Sequence, residues 1–182
     1  ISEFADYDGM SLSFGVEQGL YGDRLTLTAK GMYERRDYES TSNTFDGKTS
    51  YDNFGGSVDL SMMVSALTRV NLQGFSRFYT SERFVNAFYR DTGARFDMTT
   101  LITNRVELGL LFRYSKFDYE NVDEEWSDDF VRAGVTLAYR ATEWMSIRTM
   151  YQWAERDSYY DLQDFENNIA TVYIHFFTNL LR

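Results

Sequence analysis

Apolar and polar residues alternate one for one along most of this sequence, and that period of two constrains the fold more than any other feature. Val131, Ala133, Val135, Leu137 and Tyr139 fall on one face of an extended chain, while Arg132, Gly134, Thr136, Ala138 and Arg140 fall on the other. The next run repeats the pattern, with Met145, Ile147, Thr149, Tyr151 and Trp153 set against Ser146, Arg148, Met150, Gln152 and Ala154. Leu25–Tyr33, Val106–Tyr114 and Ala170–Phe176 do the same. A helix requires apolar residues three and four apart, which these runs lack. The chain is expected to be all-β.

The connections between runs alternate in length. Short ones fall at Gly22–Asp23, Ala66–Thr68, Thr103–Asn104 and Ala141–Glu143; long polar ones cover residues 34–52, 80–93, 116–128 and 156–164. The spacing predicts nine strands, over 9–20, 24–35, 51–64, 69–80, 94–102, 105–117, 129–140, 144–156 and 165–178, joined up and down as an antiparallel meander. No Pro- or Ser-rich linker divides residues 1–182, so they read as a single outer-membrane barrel domain or the C-terminal segment of one. The chain opens at Ile1 with neither Met nor a signal peptide, as a mature or truncated protein would.

Runs of this kind would serve a soluble β-barrel or a membrane barrel, and composition and aromatic spacing separate them. Aromatic residues make up 18% of the 182 residues, with Tyr 14, Phe 15 and Trp 3. Mean hydropathy is only −0.44, and no apolar run approaches the roughly 20 residues of a membrane helix. A barrel wall meets lipid with every second residue, which leaves average hydropathy low. Pro is 0, in keeping with a chain that must donate to a continuous ladder. Cys is 0, which removes disulfides, zinc–thiolate clusters and thiol chemistry. The net charge of −10 argues against nucleic acid as a partner.

About ten residues after each short turn the outward position is aromatic: Tyr33, Phe78, Tyr114 and Trp153. Charged or polar residues follow at once, as in Arg35–Arg36, Ser81–Glu82, Lys116 and Glu155–Arg156. A membrane strand crosses the hydrocarbon in about 9–11 residues, and aromatic girdles mark its limits. Tyr139 and Phe176 are the matching candidates at the other limit. In bacterial barrels short turns are periplasmic and long loops extracellular. The expected fold is thus a transmembrane antiparallel up-and-down β-barrel in the bacterial outer membrane. Nine strands is an odd number, whereas such barrels usually have an even one. Either Ile1–Tyr7 belongs to a further strand, or the chain is the C-terminal part of a larger barrel, and the second is the expectation.

The sequence resembles Gram-negative outer-membrane β-barrel proteins, and its ending resembles the barrels associated with exopolysaccharide or capsule export. The likeness lies in the closing hairpin Tyr151-Gln152-Trp153-Ala154-Glu155-Arg156-Asp157-Ser158, then Glu166-Asn167-Asn168-Ile169 and the alternating last strand. It departs from the usual aromatic C-terminus, since Thr178–Arg182 follow the last Phe. The resemblance implies location and architecture.

Strand parity assigns an inward set: Glu17, Lys30, Asp59, Gln73, Arg77, Arg95, Asp97, Glu107, Arg113, Arg132, Arg148, Gln152, Tyr173 and His175. Arg113, Arg132 and Arg148 occupy consecutive strands and are expected to form part of a basic ladder, with Glu107 and Asp97 as partners. Such a face would attract anions such as acidic sugars in a large barrel, or plug the interior of a small one. His175 is the only histidine, and no Gly-x-Ser-x-Gly accompanies it. The acidic run Asp118–Asp129 matches no EF-hand spacing and reads as a solvated extracellular loop. Its Tyr119 and Trp126, with Tyr159, Tyr160 and Phe165, are candidates to stack on sugars or touch a partner. The expected function is a pore or export conduit with a polar lumen, no catalysis, and no cofactor or metal. The expected partners are outer-membrane lipid and lipopolysaccharide, with other subunits of an export or envelope complex. The rivals are a filled structural or binding barrel, which docks or sheathes another protein, and an enzyme centred on His175.

Overall fold

The structure, a computed structural model, describes residues 7–22, 24–38, 50–80, 88–120, 126–158 and 164–177. Nine antiparallel strands follow one another in a single sheet: β1 (Tyr7–Leu20), β2 (Leu25–Tyr38), β3 (Ser50–Ser65), β4 (Thr68–Thr80), β5 (Phe88–Leu101), β6 (Val106–Glu120), β7 (Trp126–Arg140), β8 (Met145–Asp157) and β9 (Phe165–Phe176). Each pairs only with its sequence neighbours, so the sheet is open, and β1 and β9 have no further partner among the described residues. The expected strand number and order therefore hold. The expected boundaries fall short at the long-loop end: β5 starts at Phe88 rather than residue 94, β7 at Trp126 rather than 129, and β6 runs on to Glu120. There the strands pass beyond the apolar region, alternation by hydropathy fades, and the ladder continues without a sequence signal.

Local chemistry sets the short turns. Gly22 takes φ 65°, a left-handed conformation that glycine enters without a side-chain clash, beside Tyr21 at 53°. In the other three turns a hydroxyl caps the backbone. Ser65 Oγ accepts from Leu67 N at 3.1 Å, Thr103 Oγ1 from Val106 N at 3.0 Å, and Thr142 Oγ1 from Trp144 N at 3.3 Å.

The outward face is an apolar belt left exposed. Phe112 is 47% accessible and Val172 65%, in a sheet with no second layer to cover them. On β2, β6, β7 and β8 the belt runs over Leu25–Tyr33, Val106–Tyr114, Val131–Tyr139 and Met145–Trp153, nine residues each counted inclusively (139 − 131 + 1). Nine residues at about 3.3 Å each, tilted, cover roughly 22–25 Å, the height of a hydrocarbon core as barrels meet it.

Register reveals the tilt. The partners of Trp153, followed back across the ladder, are Ala133, Phe112, Phe96, Leu72, Leu60 and Leu27. Leu27 lies six residues from Tyr33 (33 − 27), and the path took six strand-to-strand steps. Tyr114 leads back through Ala94, Gly74 and Val58 to Ala29, four residues in four steps. The belt's edge shifts one residue per strand. A shift of about 3.3 Å per strand spacing of about 4.8 Å corresponds to a strand tilt of roughly 35°, as a barrel wall requires.

The ring residues anchor themselves upward. Tyr33 OH donates to Asp52 at 2.6 Å, Tyr114 OH to Asp129 at 2.5 Å, Tyr151 OH to Asn168 at 2.6 Å and Trp153 Nε1 to Glu166 at 3.1 Å. Each acceptor stands on the following strand, just beyond the belt, so the ring stays in oil and its polar tip points to water. Phe78 departs from the line. The one-residue shift reaches β4 at Ser76, partnered through Gly56 to Gly31. Phe78 stands two residues above that line, buried beneath the Arg90 guanidinium at 4.1 Å. At the opposite limit Tyr139 shares a row with Ile147 and Ile174, and Phe176 follows two residues lower, stacked on Trp144 at 6.1 Å.

Candidate functional site

The other face collects the polar residues, and register sorts them into rows. One row reads Glu17, Thr28, Asp59, Gln73, Arg95, Arg113, Arg132, Ala154 and Asn167 from β1 to β9. Three arginines thus face one another directly across β5, β6 and β7. The ladder expected from sequence contained Arg148 in place of Arg95. The structure corrects this: Arg148 is opposite Ala138 and then Glu107, six residues below that row, and meets Glu107 at 3.9 Å. Of the expected partners, Glu107 does meet a ladder candidate, Arg148, while Asp97 is held by an arginine outside the expected ladder. Asp97 pairs with Arg95 at 2.6 Å, and Arg113 reaches Asp91 at 2.5 Å and Ser115 at 2.9 Å.

All the other inward candidates share this face. Asp59 accepts from Ser57 at 3.0 Å and from Gln73, and Arg77 reaches Gln73 at 3.5 Å. Lys30 sits opposite Ser57 and Gly15, and Gln152 opposite Gly134 and Ile169. His175 lies opposite Ser146, with the Tyr173 ring 6.0 Å away.

Above the arginine row the face is packed, which hydropathy did not foretell. Tyr79, Tyr89, Tyr119 and Trp126 form one continuous cross-strand row, with ring centroids 5.3, 5.4 and 4.9 Å apart. Tyr119 and Trp126 are buried there in strands, so their expected roles as loop residues awaiting sugars or a partner are corrected. Burial first, then the neighbouring Tyr119, Tyr79 and Asp91, hold the Tyr89 hydroxyl above the ordinary tyrosine range. Tyr159 and Tyr160 lie outside the described residues, as do residues 121–125 of the acidic run.

The remainder of that run is not a loop. Asp128, fully buried in β7, accepts from Arg156 Nε at 3.0 Å, from Arg156 Nη2 and from Ser158 Oγ at 2.6 Å, while Arg156 also donates to Tyr119 OH at 2.6 Å. Burying a carboxylate costs several kcal/mol unless it is paired and hydrogen-bonded, and this arrangement supplies both. Asp91 is likewise buried, with Oδ1 unpartnered. Sequence reasoning missed Asp91, Asp128 and Arg156. The signal was parity: stepping back by twos from Arg95 gives Gly93, Asp91 and Tyr89, and from Arg132 it gives Phe130, Asp128 and Trp126.

Phe75 and Phe130, both buried, separate the packed zone from the row below. The guanidinium of Arg77 lies 4.9 Å from the Phe75 centroid, that of Arg132 lies 5.2 Å from Phe130, and that of Arg113 lies between the two at 5.2 and 5.7 Å. The described residues contain no group of three or more metal-ligating side chains.

No curated protein matches the chain. Among solved structures it is similar to the outer membrane protein OmpT of Vibrio cholerae. The loop L8 deletion mutant shares 14% identity with a TM-score of 0.62, over 94% of this chain and 54% of that one. The in-vitro folded form shares 12% identity with a TM-score of 0.57, over 94% and 56%. The outer-membrane expressed form shares 14% with a TM-score of 0.57, over 95% and 57%. At such identity the likeness is one of fold, and the chain spans a little over half the length of these structures. The family described as "Putative outer membrane beta-barrel porin, MtrB/PioB" matches residues 11–175, from within β1 almost to the end of β9. The chain thus belongs to the MtrB/PioB family of bacterial outer-membrane β-barrels.

Proposed function

We propose that these strands form part of the wall of an aqueous conduit, which passes polar solutes by size and lumen charge and makes no bonds. One observation supports the reading: polar side chains recur on the inner face at every level of the belt, among smaller or apolar ones such as Gly134, Ala138, Leu111 and Met150. On β7 and β8 they run from Arg132 past Thr136 and Gln152 to Arg148 and Ser146, while the outer face at the same heights is apolar. A wall needs two such faces only where water lies on one side and lipid on the other.

Closure follows from direction. With nine antiparallel strands, β1 and β9 run the same way. An all-antiparallel barrel therefore needs an odd number of additional strands between them, and unpaired edges cannot stand in hydrocarbon. At least seven more are needed for the 16 or so that leave an aqueous channel. Outer-membrane lipid and lipopolysaccharide contact the belt in this reading, and further subunits of an envelope or export complex meet the loops. The export role implied by the closing hairpin is one use of such a conduit.

A second reading, a filled structural or docking barrel, draws on the packed row Tyr79–Trp126 at the outer end. Conductance of the full-length protein in a planar bilayer separates the two: discrete steps are expected, and silence from protein shown to be inserted would favour the filled barrel. His175 takes no catalytic part in either reading: among the described residues its neighbours Ser146 and Tyr173 supply no carboxylate to orient an imidazole as a base. A loss of lipid or peptide hydrolysis in His175→Ala would contradict this.

A further inference from the structure

We propose that the inner face of β4–β7 carries a track for oxyanions, formed by Arg95, Arg113 and Arg132 with Arg77 at its edge, which selects phosphate- or carboxylate-bearing solutes. The inference rests on the conduit reading and names its substrate class.

The first argument is placement. Like charges directly opposite across a ladder repel, and a face meant only to be filled would alternate signs. Here three guanidiniums share one row, whereas the acids of that row, Glu17 and Asp59, lie apart on β1 and β3. The second is balance. Arg95 is matched by Asp97 and Arg113 by Asp91, but neither Arg77 nor Arg132 has a carboxylate partner among the described residues. The zone therefore holds surplus positive charge inside a chain of net charge −10.

The third argument is preorganisation. Phe75 and Phe130 hold Arg77, Arg113 and Arg132 by their flat faces. A guanidinium held over a ring keeps N–H groups free for the oxygens of a phosphate or carboxylate. Arg95 already grips Asp97, and Arg113 already grips Asp91 and Ser115. Arg132 has no hydrogen-bond partner among the described residues, so Arg132 with Arg77 supplies the open donors. The side chains remain reachable, with Arg95 46% and Arg113 28% accessible. The fourth is height. Arg95, Arg113 and Arg132 each adjoin the last belt residue of their strand, namely Ala94, Tyr114 and Val131. The track thus lies level with the upper edge of the belt, beneath the packed aromatic zone, where a charged, low-dielectric surface raises local counter-ion concentration.

The test uses full-length protein in planar bilayers under a potassium chloride gradient, with inorganic phosphate and, separately, a galacturonate trimer added as probes. Wild type is expected to prefer chloride and to lose current to one or both probes. In the Arg77→Gln/Arg132→Gln double variant the anion preference should fall roughly threefold or more, and the block should vanish. Lys116→Gln removes one positive charge from the outward face and should leave both unchanged, while each single variant, Arg77→Gln or Arg132→Gln, should lower both. Block by phosphate, by galacturonate or by both supports the track and tells the two sources apart; block by neither, or equal block in the double variant, overturns it. Phosphorus NMR of inorganic phosphate with the protein in nanodiscs reads the site independently of conduction. Line broadening lost in the double variant supports the track even if the conduit reading fails, and absence of broadening in wild type counts against it.

Discussion

Replacing Asp128 by alanine should unfasten the long-loop end of β6–β8. The wild-type carboxylate is fully buried and accepts from both Arg156 and Ser158, and Arg156 itself is only 18% accessible. Removing one partner of a buried ion pair costs about 3–5 kcal/mol, because the other charge is left in a poor solvent. Arg156 would retain Tyr119 OH and the Phe117 ring at 5.5 Å, with some access to water, which places the loss near the lower end, about 3 kcal/mol. Arg156→Met keeps the volume and strands Asp128 instead, at a similar cost. With both changes the stranded charge disappears, so the double variant should recover about 2 kcal/mol relative to the sum of the single losses. The measurement is urea unfolding in phosphocholine vesicles, followed by tryptophan emission, to which buried Trp126 reports. A loss below about 0.5 kcal/mol in Asp128→Ala, or an additive cycle, would refute the idea that this pair holds the strand ends together.

Val135 lies at the centre of the β7 belt and Thr136 beside it on the other face; Val135→Arg should cost about 2–4 kcal/mol and Thr136→Arg under about 1 kcal/mol in the same vesicle assay. Gly93 admits no Cβ without pressing on the Tyr114 carbonyl and Ser115, whereas a Cβ at Gly74 meets nothing within 4 Å. Gly93→Ala should therefore lose about 1–3 kcal/mol, and Gly74→Ala should be neutral or slightly stabilising. Alkaline titration should loosen the outer aromatic row. Tyr89 keeps its proton more firmly folded than unfolded, so its contribution is complete below the ordinary value of 10.0 and fades as pH rises through the higher folded value. Tyrosinate absorbance assigned to Tyr89, as the difference between wild type and Tyr89→Phe, that appears below that point would contradict the buried row.

The sequence made the wall legible and the inner packing much less so. Strand number, order and facing follow from alternation, since a two-sided wall between oil and water writes hydropathy with a period of two. Tyr33, Tyr114 and Trp153 could be picked out because charged residues follow them immediately. Two things hid the remainder. Beyond the belt both faces of a strand meet polar surroundings, so Tyr89, Asp91, Trp126 and Asp128 looked like loop residues though the ladder continues through them. Row membership also depends on register, which parity alone leaves open by any multiple of two. Arg148 passes the parity test and still stands six residues below the row that Arg95 completes.

The shared direction of β1 and β9 has a consequence for assembly. A strand that pairs antiparallel with either of them must run the opposite way, so the strands that continue the wall beside β1 and beside β9 share a direction as well. Parallel pairing is slightly weaker per residue than the antiparallel pattern of the rest of the wall. The better bond at either flank is thus kept for a strand that runs against it.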